Sequence, residues 1–556
     1  MAPLVPPPNR LGYILVAALG LLLVVHHLWG YVGHFGFDDI HYARLSRQFA
    51  EGVFQTSIED HYTFRWGVIW LNGLIYKVFG MGDHSSTIVP LTATLLTVWL
   101  VWQMSARLSL AARAFAMTFT ALSEWVFFYS DKIMPDVLVM LFSTAAIACI
   151  WQHRWGNWQA QPVRAALLLT VSILAGFLCK ETIILTLPLF GWLLATDLWQ
   201  GERRRFWIYA AIFGAIGTTF YFTTIYALTG DALGRFRAIA VNGYFSACSY
   251  DQLPIEHLWR RIGRDLWRVF FESGIAVGFV FLLPVLLFRR EGRSLLQSRN
   301  EPDFLLLCAA GLVLLSNFMT ISPTAYLPLC PDIRHYLFAV PFVGLAAAAG
   351  VADFVQKPVS VLHYGVVGLA ALAAVVAWMF QPDQFKLYGS LALVTTLILF
   401  FRFLKTKNLS NIPWLMLGVV LLWKPVRVMR EAQNSNYSEQ KQFVREQFHP
   451  EMAPRNLMVI TNVVEKNIDE YLLGFDTTGV RFLSFKQVTP ENIAPADSIT
   501  LIINGTTAYL SGMDWEAMPF WVKQPDPSRR LVAHTQHIEL FGLSKRDLLR
   551  RLETGR

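Results

Sequence analysis

The chain alternates long apolar stretches with short polar connections. Thirteen stretches reach or approach the roughly 17–25 residues that a helix needs to cross a bilayer's hydrocarbon. They lie at about 11–30, 84–104, 114–131, 133–151, 163–179, 181–199, 206–228, 270–288, 303–321, 334–352, 358–380, 386–404 and 411–429. From residue 430 the pattern changes. Gln, Asn, Ser and Glu rise through 431–449, and short β-like runs follow at Asn456 to Thr461, Val480 to Phe485, Ser498 to Asn504 and Arg530 to Leu540. Helical patterns stand between them at Lys466 to Leu473 and at the end at Lys545 to Leu552. The pattern predicts a polytopic α-helical membrane domain over 1–430, with about 13 transmembrane helices, and a small α/β domain over 431–556.

Composition agrees with this division. Of 556 residues, 54% are hydrophobic and only 15% are charged, against roughly 25% charged in soluble domains. The formal net charge of +8 raises the question of a nucleic-acid partner, and the placement of the charges answers it. Arg107 and Arg113, Arg154 and Arg164, Arg203 to Arg205, Arg289, Arg290, Arg293 and Arg299, Lys357, and Arg402, Lys405 and Lys407 all fall on one side when thirteen helices are threaded from a cytoplasmic N-terminus. That is the positive-inside bias, so the basic excess encodes topology and no nucleic acid is expected. The same threading puts loops 31–83 and 229–269, and everything after 430, on the outer side. Arg10 precedes the first apolar run without a small-x-small site after it, which reads as an uncleaved helix. The connections on the cytoplasmic side are too brief for a catalytic domain, so any chemistry belongs to the outer face.

Two adjacent acids, Asp38 and Asp39, follow the first helix. Carboxylates beside a bilayer are costly unless solvated or used. Asp39 to Ala50 reads as an interfacial amphipathic helix, with Ile40, Tyr42, Leu45 and Phe49 on one face and Gly52 as its stop. One carboxylate satisfies a helix cap and the second is left for another task. Cys248 and Cys330 both fall in outer loops; they either pair or remain small free hydrophobes. No phosphate-loop or dinucleotide fingerprint occurs in 431–556, where a scaffold or acceptor-contact use is expected, and no spaced His pair suggests zinc.

Four segments carry a resemblance: Phe37-Asp38-Asp39-Ile40-His41-Tyr42-Ala43; His61-Tyr62-Thr63-Phe64-Arg65-Trp66-Gly67; Lys132-Ile133-Met134-Pro135-Asp136; and Gly176-Phe177-Leu178-Cys179-Lys180-Glu181. A weaker fifth is Asp332-Ile333-Arg334-His335-Tyr336-Leu337. In order and placement they resemble the GT-C glycosyltransferases, in particular the group of bacterial aminoarabinose transferases and dolichyl- or polyprenyl-phosphate-mannose protein mannosyltransferases. Asp39 stands where that group usually has Glu, and Thr63-Phe64-Arg65 where it often has Lys-Pro-Pro.

The resemblance implies transfer of a sugar from a polyprenyl-phosphate donor to an envelope lipid, glycan or protein on the extracytoplasmic face of a bacterial inner membrane. A phosphate leaves as a stable anion, so one general base suffices, and a single displacement inverts the anomeric centre. The motif gives that role to Asp38, with Asp39 as orienter or metal ligand; a divalent metal is left open, its ligands being Asp38 and Asp39 if any. The departing phosphate needs cations, and Arg65, Lys180, Arg235, Arg237 and Arg334 are the outer-side candidates. Asp136 follows Pro135, where a helix cap is the first reading and a substrate contact the second. Lys180-Glu181 is read equally well as a solvated turn. His61 and His335 read as polar loop residues. Tyr244, Tyr250, Trp259 and Trp267 stack on sugar or, more simply, mark the membrane interface. The alternatives are a transporter or flippase of lipid-linked saccharides, disfavoured by the absence of an internal repeat, and an inactive GT-C-like assembly subunit.

Overall fold

The computed structural model describes residues 10–241, 248–287, 296–321, 325–403, 412–432, 436–448, 456–514, 518–523 and 529–554. Tyr244, Arg289, Arg290, Arg293, Lys405 and Lys407 lie outside the described residues. The chain divides into two compact units. One comprises Met1–Trp29, Gln55–Val68 and Ile88–Met429; the other comprises Gly30–Phe54, Ile69–Thr87 and Arg430–Arg556.

The first unit is helical. Among the described residues of the whole chain, eleven helices are long and apolar enough to cross a membrane: Gly12–Trp29, Asp83–Met104, Pro135–Trp155, Pro162–Cys179, Glu181–Trp199, Arg204–Thr229, Glu301–Phe318, Ile333–Gln356, Val361–Phe380, Pro382–Phe403 and Ile412–Arg430. The helices Ile255–Glu272 and Ala276–Leu287, bent by 119° at the break between them, pass the same test only as a pair, as a broken span or a re-entrant loop. The expected stretch 114–131 is interrupted. Its helix, Leu110–Leu122, stops where Ser123 takes ψ 126°, and a short helix, Glu124–Tyr129, follows. The apolar run continues through this break, so hydropathy alone does not reveal it.

Pro135–Trp155 and Ile333–Gln356 are the most enclosed spans, whereas Arg204–Thr229 is largely exposed. Small residues let the central helix approach its neighbours. A Cβ on Gly350 would lie 2.6 Å from the Phe281 carbonyl oxygen, and one on Gly344 would lie 3.0 Å from the Phe119 ring. Both enclosed helices carry polar residues at their starts, Asp136 and His335, which places a polar cluster at one end of the bundle's core.

Cys248 and Cys330 form a disulfide with their Cα atoms 5.6 Å apart. Cys149, Cys179 and Cys308 are free and buried.

In the second unit, helix Asp38–Glu51 ends at Gly52, whose φ of 79° lets its N–H reach back to Gln48 and Phe49 carbonyls. The C-terminal part is an α/β layer. Its strands are β1 (Leu457–Thr461), β2 (Val480–Ser484), β3 (Ser498–Asn504), β4 (Arg530–His534) and β5 (Ile538–Leu543), in the order β2-β1-β3-β5-β4. β1 is parallel to β2 and β3, while β5 runs antiparallel to both β3 and β4. The expected run Arg530 to Leu540 is therefore a hairpin. Thr535, Gln536 and His537 supply its polar turn, and the Thr535 N–H donates to the Ile538 carbonyl at 2.8 Å. Both faces of the sheet are covered. Met458 and Ile460 enter one apolar cluster, and Leu457 and Val459 enter the other.

One buried feature of this layer is polar. Glu465 and Asp469 stand one turn apart on helix Val463–Leu472, and both are fully buried. Glu465 Oε2 accepts from Asn504 Nδ2 at 2.8 Å and Thr507 Oγ1 at 2.7 Å, and Asp469 Oδ1 accepts from Gln440 Nε2 at 3.1 Å. These partners are all neutral. Burial raises the Glu465 carboxyl to about 7, and burial together with the neighbouring Glu465 charge raises Asp469 well above the usual range. The folded domain thus holds protons that an unfolded chain releases near pH 4. The Glu465 part of this contribution to stability is complete below about pH 4 and is lost as pH rises through about 7, at up to about 1.4 kcal/mol per pH unit, and the raised Asp469 carboxyl acts in the same direction. The transition of this domain in thermal unfolding is expected at higher temperature at pH 5 than at pH 8, and the double substitution E465Q/D469N should flatten that difference.

Candidate active site

Asp38 and Asp39 open the helix Asp38–Glu51 in the second unit. Their environments differ. Asp39 is completely buried and accepts four hydrogen bonds: its Oδ1 from the Phe37 N–H at 3.2 Å and the Ile40 N–H at 2.9 Å, its Oδ2 from the Phe35 N–H at 2.6 Å and from His34 Nδ1 at 3.2 Å. This carboxylate gathers the loop Gly33-His34-Phe35-Gly36-Phe37 around itself. Asp38 is only half-buried. Among the described residues no group of three or more His, Cys, Asp or Glu side chains is placed to hold a metal ion. Asp39, with both oxygens turned to donors, does not fit a metal ligand.

The cationic candidates lie in the first unit. Asp60 caps the 3₁₀ turn His61–Phe64 by accepting from the Tyr62 N–H at 2.9 Å, and Arg65 follows as the turn's last cap. Gly67 fits because a Cβ there would lie 2.5 Å from Cys179 Sγ. Cys179 ends the helix Pro162–Cys179, and Lys180 takes an extended conformation before the 3₁₀ turn Glu181–Thr186. Gly176 allows that turn to fold back, since a Cβ would meet Ile183 at 2.2 Å.

This local geometry sends Lys180 and Glu181 to different partners. Glu181 accepts from Arg65 Nη2 at 3.0 Å and from Arg235 Nη2 at 3.0 Å. Arg235 also donates to the Phe177 carbonyl at 2.6 Å and is 1% exposed. Lys180 Nζ lies 2.7 Å from Asp136 Oδ1 and 3.0 Å from His335 Nδ1. The second oxygen, Asp136 Oδ2, is buried and has no hydrogen-bond partner among the described residues. The first unit therefore joins four of the expected segments, through Arg65, Asp136, Lys180 with Glu181, and His335. Of the two basic residues expected from the loop 229–269, Arg235 joins the cluster. Arg237 is 71% exposed and pairs with Asp231 at 2.9 Å. Arg334 pairs with Asp332 at 2.9 Å beside the cluster's His335.

The Lys180–Glu181 turn is buried rather than solvated, and His335 is a buried partner of a charged pair rather than a loop residue. Each sits in a short polar interruption of an apolar run, where sequence does not show what packs over it. Glu181 is the residue that sequence reasoning leaves without a role. Its signal is a carboxylate directly after Lys180 in an otherwise apolar stretch. Arg261 is a second such residue. It is 2% exposed, and its guanidinium donates to the Asn317 carbonyl and to Tyr250 OH at 3.2–3.3 Å. Trp259 and Trp267 are exposed, as membrane-interface aromatics are.

No family model and no curated protein matches the chain. Solved structures do. ArnT from Cupriavidus metallidurans bound to undecaprenyl phosphate aligns over 96% of this chain and 98% of its own, at 13% identity and a TM-score of 0.55. The apo state of the same protein gives 14% identity, the same coverage and a TM-score of 0.54. The fold is GT-C. AglB from Archaeoglobus fulgidus, an archaeal oligosaccharyltransferase, aligns over 90% of this chain and 71% of its own, at 11% identity and a TM-score of 0.49. With the GT-C fold and its apolar helices, the chain is a multi-pass membrane protein that carries a small five-stranded C-terminal sheet.

Proposed function

We propose that the protein is an integral-membrane glycosyltransferase that takes a sugar from a polyprenyl phosphate and passes it to an envelope lipid, glycan or protein. The observation that carries this reading is the buried charge cluster. Arg65, Arg235 and Lys180 gather around Glu181 and Asp136, with all five side chains buried in a water-poor site. Two guanidiniums and an ammonium held together in this way suit a phosphate, and a lipid phosphate is one that reaches the end of a membrane bundle. The fold's likeness to a protein solved with undecaprenyl phosphate supports the same donor class.

In this reading Arg65, Lys180 and Arg235 stabilise the departing phosphate, with Arg237 and Arg334 as flanking cations that attract it. Asp136 Oδ2 is an acceptor available to a sugar hydroxyl. Asp38 is the general base for the incoming nucleophile, and the displacement inverts the anomeric centre. Asp39 holds the loop. Residues 1–430 form the transmembrane domain, and 431–556 lie outside the cytoplasm at a bacterial inner membrane. The Cys248–Cys330 disulfide supports an oxidising compartment for the loops that carry it.

Mass spectrometry of envelope glycolipids and glycoproteins, with and without the gene, tests the proposal. Loss of the gene should remove a sugar from one envelope species and leave its polyprenyl-phosphate donor accumulated. Identical envelopes and donor pools would overturn it.

A further inference from the structure

The acidic loop of the second unit is shaped by the C-terminal layer. Gly33 and Gly36 adopt φ of +85° and +83°, the left-handed region where a side chain is strained. A Cβ on Gly33 would lie 2.1 Å from the Tyr437 ring, and one on Gly36 would lie 2.8 Å from the Val464 carbonyl oxygen. The two glycines bracketing His34 and Phe35 are thus fitted to the helices Tyr437–Phe448 and Val463–Leu472. Polar contacts reinforce the fit. Asn467 Nδ2 donates to the Gly36 carbonyl at 2.6 Å. The His34 ring, which meets Asp39 through Nδ1, packs against the Tyr471 ring with centroids 4.2 Å apart. Arg44, further along the helix that Asp38 opens, pairs with Glu470 of helix Val463–Leu472. Tyr437 and Lys441 both donate to Asp83, at 2.7 and 2.6 Å, which ties the helix beside Gly33 to the segment Ile69–Thr87 of the same unit.

From these contacts we infer that helix Val463–Leu472 is a positioning element for the acidic pair. Asn467 and Tyr471 act through Gly36 and through His34–Asp39 to fix the backbone that presents Asp38. The C-terminal layer then belongs to the catalytic apparatus without touching the reacting atoms. The inference rests on Asp38 being the base of the proposed reaction. Preorganisation of this kind matters because a misplacement of about 1 Å costs up to about 10²-fold in rate.

The test is hydrogen exchange on the full chain in lipid nanodiscs, paired with sugar transfer from polyprenyl-phosphate sugar. In Asn467→Ala the amides of Phe35, Phe37 and Ile40, which bond Asp39, should exchange about tenfold faster, while β1 and β3 keep wild-type protection. The turnover number should fall about tenfold at unchanged KM for the donor, and Asn467→Asp, which cannot donate, should behave like Asn467→Ala. Gly36→Ala disturbs the same contact from the loop side and should give the same pattern with the sheet intact. Wild-type exchange of the three amides in these variants overturns the inference. Faster exchange with a wild-type turnover number overturns it as well, because the contact then serves stability alone. The exchange arm needs no substrate, so an inactive wild-type protein refutes the proposed function while exchange still decides the placement.

Discussion

Replacing Asp38 by Asn is expected to lower sugar transfer by about 10²- to 10⁴-fold, the range that a positioned general base contributes. The protein should still fold, because the neighbouring Asp39, and not Asp38, receives the four donors that shape the loop. Binding of the polyprenyl-phosphate donor should persist, since its proposed phosphate contacts are Arg65, Lys180 and Arg235. Asn at position 39 gives the opposite signature. An amide nitrogen facing backbone N–H donors places donor against donor, so Asp39→Asn should lower the thermal transition before it lowers intrinsic turnover. Comparing turnover and melting temperature for the two variants checks the division of labour. Wild-type transfer by Asp38→Asn would remove Asp38 from the mechanism.

The second large effect is on stability. Glu181 is the shared carboxylate of two buried arginines, at 3.0 Å from each. Removing one member of a buried ion pair typically costs about 3–5 kcal/mol, because the remaining charge stays desolvated without its partner. Glu181→Ala should therefore lower the thermal transition strongly, and Arg235→Met in the same background should recover part of the loss by removing one orphaned cation. Saturating polyprenyl phosphate should raise the transition of Glu181→Ala more than that of wild type, since the ligand's anion replaces the missing carboxylate. A wild-type melting temperature in Glu181→Ala would refute this reading of the cluster.

Much of this is legible in the chain, and the exceptions have physical causes. The apolar runs mark most helices because hydrocarbon imposes a length and a composition. The strand Ser498–Asn504 falls where its β-branched run indicates. Asp38, Arg65, Asp136 and Lys180 stand out because charges are rare in such a sequence. Periodicity does not carry what depends on tertiary partners. The break at Ser123 lies within continuous apolar sequence, and the burial of Arg235 is set by Glu181 and Phe177, more than fifty residues away. Two adjacent aspartates look alike on paper. They diverge only when His34 and three backbone amides close on one of them. The sequence also leaves Gly33 and Gly36 as ordinary loop glycines, because their reason lies in Tyr437 and Val464, some four hundred residues later.

The central claim is sugar transfer from a lipid phosphate, and reconstituted turnover tests it most directly. The purified protein, placed in proteoliposomes with radiolabelled polyprenyl-phosphate sugar and an envelope extract as acceptor, should release polyprenyl phosphate in equal amount to the sugar that appears on acceptor, with the anomeric configuration inverted. Movement of the intact lipid-linked sugar across the bilayer, with no polyprenyl phosphate released, would contradict the account and make the protein a transporter.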